Sequence, residues 1–260
     1  VKNKDLITSG VILVVILPCF FLILMLVQMI GSEVNDEKTT RSMEIIISNV
    51  SPETHFLSKV LASTSFVVIQ GLLLLGYAII AALSRFLFGG GNIINDVGTG
   101  LASQMTSILT TVKETGILTT LLQGLPWILL LFLVSFILYG IVAGVLASMT
   151  TSMEDFQQLQ TPIMLIIMVG YYLAIMASQF EGATFIKIMS YVPMLSFMLS
   201  PSLFLLGQIS IYSLAIATLI NIIFTFIIFK YGLRIYKVGI LNYSSTKLWK
   251  KMFKSLKNKE

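Results

Sequence analysis

Glu37-Lys38-Thr39-Thr40-Arg41-Ser42-Met43-Glu44-Ile45-Ile46-Ile47-Ser48-Asn49-Val50-Ser51-Pro52-Glu53 separates two long hydrophobic stretches. Met43, Ile46, Ile47 and Val50 fall at i, i+3, i+4 and i+7, the spacing of one helix face. Arg41, Glu44 and Ser48 lie on other faces. Ser51-Pro52-Glu53 then reads as a new helix start. Ser is a favoured N-cap, Pro loses nothing in a first turn whose N–H groups are unpaired anyway, and an acid suits those unpaired donors. The stretch predicts two short helical pieces, one lying along a membrane and one leading into it.

The flanks are nearly free of charge. Hydrophobic residues make up 56% of the 260, charged residues 11%, and mean hydropathy is +0.93. A soluble domain carries roughly 25% charged residues, so a chain this apolar does not cover a water-facing surface. No charge occurs in residues 6–32, 60–84, 115–153, 156–180 or 188–229. About 20 apolar residues cross the hydrocarbon core, and the expected spans are 6–30, 60–83, 125–149, 161–178 and 208–229. The fold class expected is an all-α membrane protein, a polytopic helical bundle with five spans and a re-entrant or short extracellular helical hairpin before the last. That hairpin is expected at 188–206, because Pro193 and Pro201 interrupt a helix and only Gly207 separates the segment from the next span.

Sidedness follows from the basic residues. Nine Lys or Arg lie between Lys230 and the end, which places the C-terminus in the cytoplasm. Counting back through five spans puts 31–59 inside and 84–124 outside, with 12 Lys/Arg inside and 5 outside. Six spans would give 14 and 3, a slightly better tally that moves the opening stretch to the outer face. The chain starts at Val1 and its first span follows at once without a signal-cleavage pattern, so it is expected to be the C-terminal part of a longer protein. Residues 89–98 hold a glycine and asparagine turn cluster. Residues 100–111 read either as connecting loop or as a surface helix. The tail at 244–260 alternates Leu248, Trp249, Met252, Phe253 and Leu256 with lysines, a basic amphipathic pattern suited to an anionic leaflet.

Chemistry-bearing patterns are scarce. Cys19 is a lone cysteine within a span and His55 a lone histidine, so neither a disulfide framework nor a metal site is expected. No Gly is followed by Lys, which excludes a phosphate-binding loop. No catalytic or cofactor-binding residue and no nucleic-acid partner is expected. The spans carry Gln28, Gln70, Tyr139, Asn221 and Thr225, residues that commonly hydrogen-bond between helices. Gly140, Gly144 and Ala147 form a small-residue stripe for close helix packing.

Three motifs carry a resemblance. Glu37-Lys38, Arg41, Met43-Glu44-Ile45-Ile46, Ser51-Pro52 and Lys59 resemble the cytoplasmic segment of ABC-2 type export permeases, especially the NatB-like sodium-efflux branch. Glu154-Asp155-Phe156-Gln157-Gln158-Leu159-Gln160-Thr161-Pro162 is similar to the polar turn before that family's penultimate span. Arg234-Ile235-Tyr236-Lys237-Val238-Gly239-Ile240-Leu241-Asn242-Tyr243 is similar to the signature after its last span. Ser58 and Ser244 stand where the family usually has Gly. The family's first span and large external domain are missing from the pattern.

The resemblance implies a membrane-spanning permease that exports substrate using a separate ABC ATPase, with ATP and Mg on that partner. A second permease chain, identical or different, and membrane lipids complete the set, in a bacterial cytoplasmic membrane. Residues 37–58 would be the coupling segment. Glu37, Arg41, Met43, Glu44, Ile46, Ile47, Ser51 and Pro52 are then the residues expected at the ATPase, with an Arg41–Glu44 pair at i, i+3. The alternative reading is a non-transporting membrane sensor or scaffold.

Overall fold

The computed structural model describes residues 2–88, 117–179 and 182–241. The turn cluster at 89–98, the segment 100–111 and the basic tail at 244–260 lie outside the described residues. The described residues form eight helices: α1 (Lys2–Thr39), α2 (Ser42–Asn49), α3 (Pro52–Phe88), α4 (Ile117–Met149), α5 (Met153–Met176), α6 (Thr184–Met189), α7 (Ser196–Leu205) and α8 (Ile211–Gly239). Of these, α1, α3, α4, α5 and α8 are long and apolar enough to cross a membrane.

The long helix α4 is the hub. It packs against α1, α3, α5, α7 and α8, and 67% of its most apolar window is buried against 11% for α3. Close approach on one side comes from the small-residue stripe. A Cβ at Gly140 would meet Ile30 and Val60 at 3.3 Å, and one at Gly144 would meet the Phe56 ring at 2.9 Å. The stripe thus receives side chains of α1 and α3. Among the polar side chains of the spans, Asn221 ties two helices together as expected, whereas Thr225 bonds within its own helix. Asn221 on α8 donates to Ser135 on α4 at 2.7 Å, and Thr225 donates to the Asn221 carbonyl at 2.7 Å. Gln28 instead lies on the exposed outside of the bundle.

The chargeless window at 188–229 holds one long helix, α8, and the short α7. Ten residues rise about 15 Å, half a hydrocarbon core, so α7 does not cross. All ten of its residues are buried, and α6 precedes it across a turn. Met194 in that turn has φ 74, uncommon for a residue with a side chain. The Tyr139 hydroxyl of α4 donates to its carbonyl at 2.6 Å.

One expectation needs correction, and two helices run beyond the spans expected within them. Pro193 lies in the turn, but Pro201 sits inside α7 and does not end it. The Ser200 hydroxyl ties α7 back to the Ser190 carbonyl at 2.6 Å, and the Ser202 hydroxyl donates to the Met198 carbonyl at 2.6 Å. The helix expected over 6–30 continues to Thr39, because its charged end is paired rather than solvated. The helix expected from 161 begins at Met153, where the Ser152 hydroxyl accepts the Asp155 N–H at 3.2 Å.

Candidate functional site

The opening stretch folds as a corner between α1 and α3. Arg41 ends α1 in a left-handed conformation, φ 56 and ψ 11. The Thr40 and Ser42 side-chain hydroxyls meet across it. The helix α2 then runs for eight residues, and Val50 leaves it in extended conformation. Ser51 caps α3 by accepting the Thr54 N–H at 3.2 Å, and Pro52 opens the helix. The two breaks hold α2 tightly between two long helices.

The faces of α2 are unequal. Met43 is fully buried, Ile46 and Ile47 are half-buried, and Glu44, Ser48 and Asn49 are exposed. Ile45 is 69% exposed, so an apolar side chain stands outward at the middle of the corner. Val50, expected on the inner face, is exposed because the chain has already become extended there. The expected Arg41–Glu44 ion pair is not among those of the described residues. Their link is backbone: the Glu44 N–H donates to the Arg41 carbonyl at 3.2 Å. The left-handed turn breaks the i, i+3 geometry on which side-chain pairing depends.

Behind α2 lies a set of paired charges. Glu37 reaches Lys59 at 2.7 Å and His55 Nε2 at 3.0 Å. Lys59 also reaches Glu33 at 3.1 Å. The other ring nitrogen, His55 Nδ1, is 2.9 Å from the Tyr236 hydroxyl on α8. The Glu37 carboxylate and His55 Nε2 approach each other without the alignment of a hydrogen bond, and the donor between His55 Nδ1 and Tyr236 follows from the ring tautomer. Tyr236 in turn packs its ring on Phe56 at 4.4 Å. Lys38, one residue on, points elsewhere: its buried ammonium donates to the carbonyl of Ser148 at 2.7 Å and of Gly239 at 3.0 Å. At the surface, Lys237 and Glu53 pair at 2.7 Å. Together these contacts join α1, α3, α4 and α8.

The eight residues expected at the ATPase therefore divide. Glu37 and Met43 face the bundle, Arg41, Glu44 and Ser51 are exposed, and Ile46, Ile47 and Pro52 lie between. Glu33, Lys38, His55, Lys59 and Tyr236 form a set that sequence reading did not assemble. A signal for part of it exists: Glu33 and Glu37 are four apart, and so are His55 and Lys59. Such pairs stand on one helix face, here on two helices joined by α2.

A bundle of membrane-crossing helices around one central span, with a short amphipathic corner between two of them, defines a polytopic membrane protein. The chain matches the ABC-2 family transporter protein family over residues 2–232 and belongs to it. It is also 27% identical over 250 residues to the uncharacterized protein YhaP of Bacillus subtilis (strain 168). That alignment covers 96% of this chain and 56% of YhaP, so the chain spans about half the length of its curated relative. No solved structure matches the chain significantly. It is a multi-pass protein of the cell membrane.

Proposed function

We propose that the chain forms part of the permease of an ATP-driven exporter and that the corner around α2 docks onto a separate ABC ATPase, which binds ATP and Mg. The observation that carries the reading is the build of α2. Its outer face offers Ile45 ringed by Arg41, Glu44 and Ser48, an apolar anchor in a polar rim. Its inner face is fixed to the bundle, and the charge set behind it links α1 and α3 to α8. A push on α2 would reach three spans. A second permease chain completes the transporter in this reading, and the α2 end of the bundle faces the cytoplasm.

Two experiments test it. A cysteine at exposed Ser51, in a Cys19→Ser background, reacts with membrane-impermeant maleimide in inside-out vesicles and not in intact cells; labelling of intact cells would place α2 outside and end the proposal. Glu44→Lys reverses a rim charge without touching the core, and lowers ATPase co-purification about fivefold. Unchanged ATPase recovery together with unchanged ATP-dependent export would remove the docking role. A stable assembly lacking any ATPase would favour the sensor or scaffold reading instead.

A further inference from the structure

The outer surface of the bundle has a groove of about 300 Å³ between α3, α4 and α8, the lower end of small-ligand sites. Leu61, Ile137, Ile222, Phe226 and Phe229 are among its lining residues, and the ring of Phe229 stacks on Phe56 at 6.0 Å. Its polar lining residue is Thr225, whose hydroxyl is spent on the Asn221 carbonyl at 2.7 Å. The groove therefore suits hydrocarbon and offers a polar ligand no free donor among these lining side chains.

The α8 face that lines the groove continues into basic residues. Ile222, Phe226, Lys230 and Arg234 recur every four residues, one above another on the helix. From Phe226 to Lys230 the rise is about 6 Å, so Lys230 follows the lining residue Phe229 on the same helix, one turn past Phe226. Tyr231 beside it is an aromatic of the kind that sits at headgroup level, and the Arg234 guanidinium lies 5.8 Å from the centre of its ring. Lys230 is exposed and has no acidic partner among the described residues. Its neighbours differ: Lys59 is held by Glu33 and Glu37, and Lys237 by Glu53.

We propose that this groove holds one acyl chain of an anionic phospholipid whose phosphate is bound by Lys230. The site lies on the flank of the bundle and involves neither α2 nor an ATPase, so it stands whether or not the docking proposal does. The apolar part takes the chain, and the unpaired ammonium one turn below takes the headgroup charge. A zwitterionic lipid would fill the groove but gain less from Lys230.

The test uses the full chain, with any subunits that accompany it, in vesicles carrying phosphatidylglycerol with a diazirine on one acyl chain. Light-induced adducts are expected on the groove segments of α3, α4 and α8. Lys230→Gln lowers their yield about fivefold, the effect of losing one basic contact near a membrane surface. Ile137→Trp fills the groove and removes them, while Leu165→Trp, on the exposed face of α5, leaves them unchanged. Lys230 is exposed, so its variant decides the matter even if the tryptophan variant does not fold. Equal labelling by a phosphatidylcholine analogue, or yields indifferent to Lys230→Gln, would overturn the anionic site. Cross-linking between cysteines placed at Phe226 in two copies would show that a second chain covers the groove, and would overturn it too.

Discussion

Lys38→Met lowers the stability of the bundle by about 3 kcal/mol. The methionine keeps the length and most of the volume of the lysine stem, so packing changes little. What disappears is the ammonium shared by the Ser148 and Gly239 carbonyls. Hydrogen bonds from a charged donor contribute about 1.5–3 kcal/mol each, and a buried acceptor left unpaired costs further. The surroundings leave little room for relaxation: a Cβ built on Gly239 would lie 2.8 Å from the Ser148 carbonyl oxygen. Reversible unfolding in mixed micelles, followed by circular dichroism, measures the loss. A change below about 0.5 kcal/mol, the size of an ordinary surface substitution, would mean that the two carbonyls find other partners.

Glu37→Leu is expected to cost about 2 kcal/mol, less than a fully buried ion pair because the cluster opens partly to solvent. Lys59 keeps Glu33 as a partner, so the greater part of the damage falls on His55. That distribution gives the sharper test. In the double variant Glu37→Leu, His55→Phe the stranded imidazole is gone, while the ring that packs near Phe56 and Tyr236 remains. The second change should then cost about 1 kcal/mol less than it does alone. Strict additivity in micelle unfolding would show that the 3.0 Å approach of Glu37 to His55 contributes nothing. If α2 transmits motion as proposed, Glu37→Leu also leaves ATP hydrolysis running while export falls.

The sequence was most legible where local chemistry decides the outcome. Gaps in the charge pattern marked the five long helices, and Ser51-Pro52-Glu53 marked the start of α3 because capping needs only neighbouring residues. The α2 periodicity was legible for Met43, Ile46 and Ile47 but failed at Val50, where an extended residue was needed to enter the next cap. The continuation of α1 past the expected span was not legible, because Glu33, Glu37 and Lys38 are charged and the apolar pattern stops before them. They are helical because their partners, His55, Lys59, Ser148 and Gly239, arrive from elsewhere in the chain, and no periodicity reports them. Pro201 misled for a related reason: packing on every side of α7 holds the helix through it. Of the eight residues expected at the docking surface, the inward direction of Glu37 followed from the same distant partners.

Ser148 and Gly239 lie at the ends of α4 and α8, and the Lys38 ammonium stands between their carbonyls. The C-terminus of each helix carries about half a negative charge through its aligned peptide dipoles, so two such ends together match one ammonium. Two spans thus finish in an electrically balanced junction built around a single side chain. The chain is synthesised from its N-terminus, so Lys38 and Ser148 are in place well before Gly239 emerges. The junction closes only when the last described span has entered the membrane, which makes completion of the bundle an event that its first helix registers.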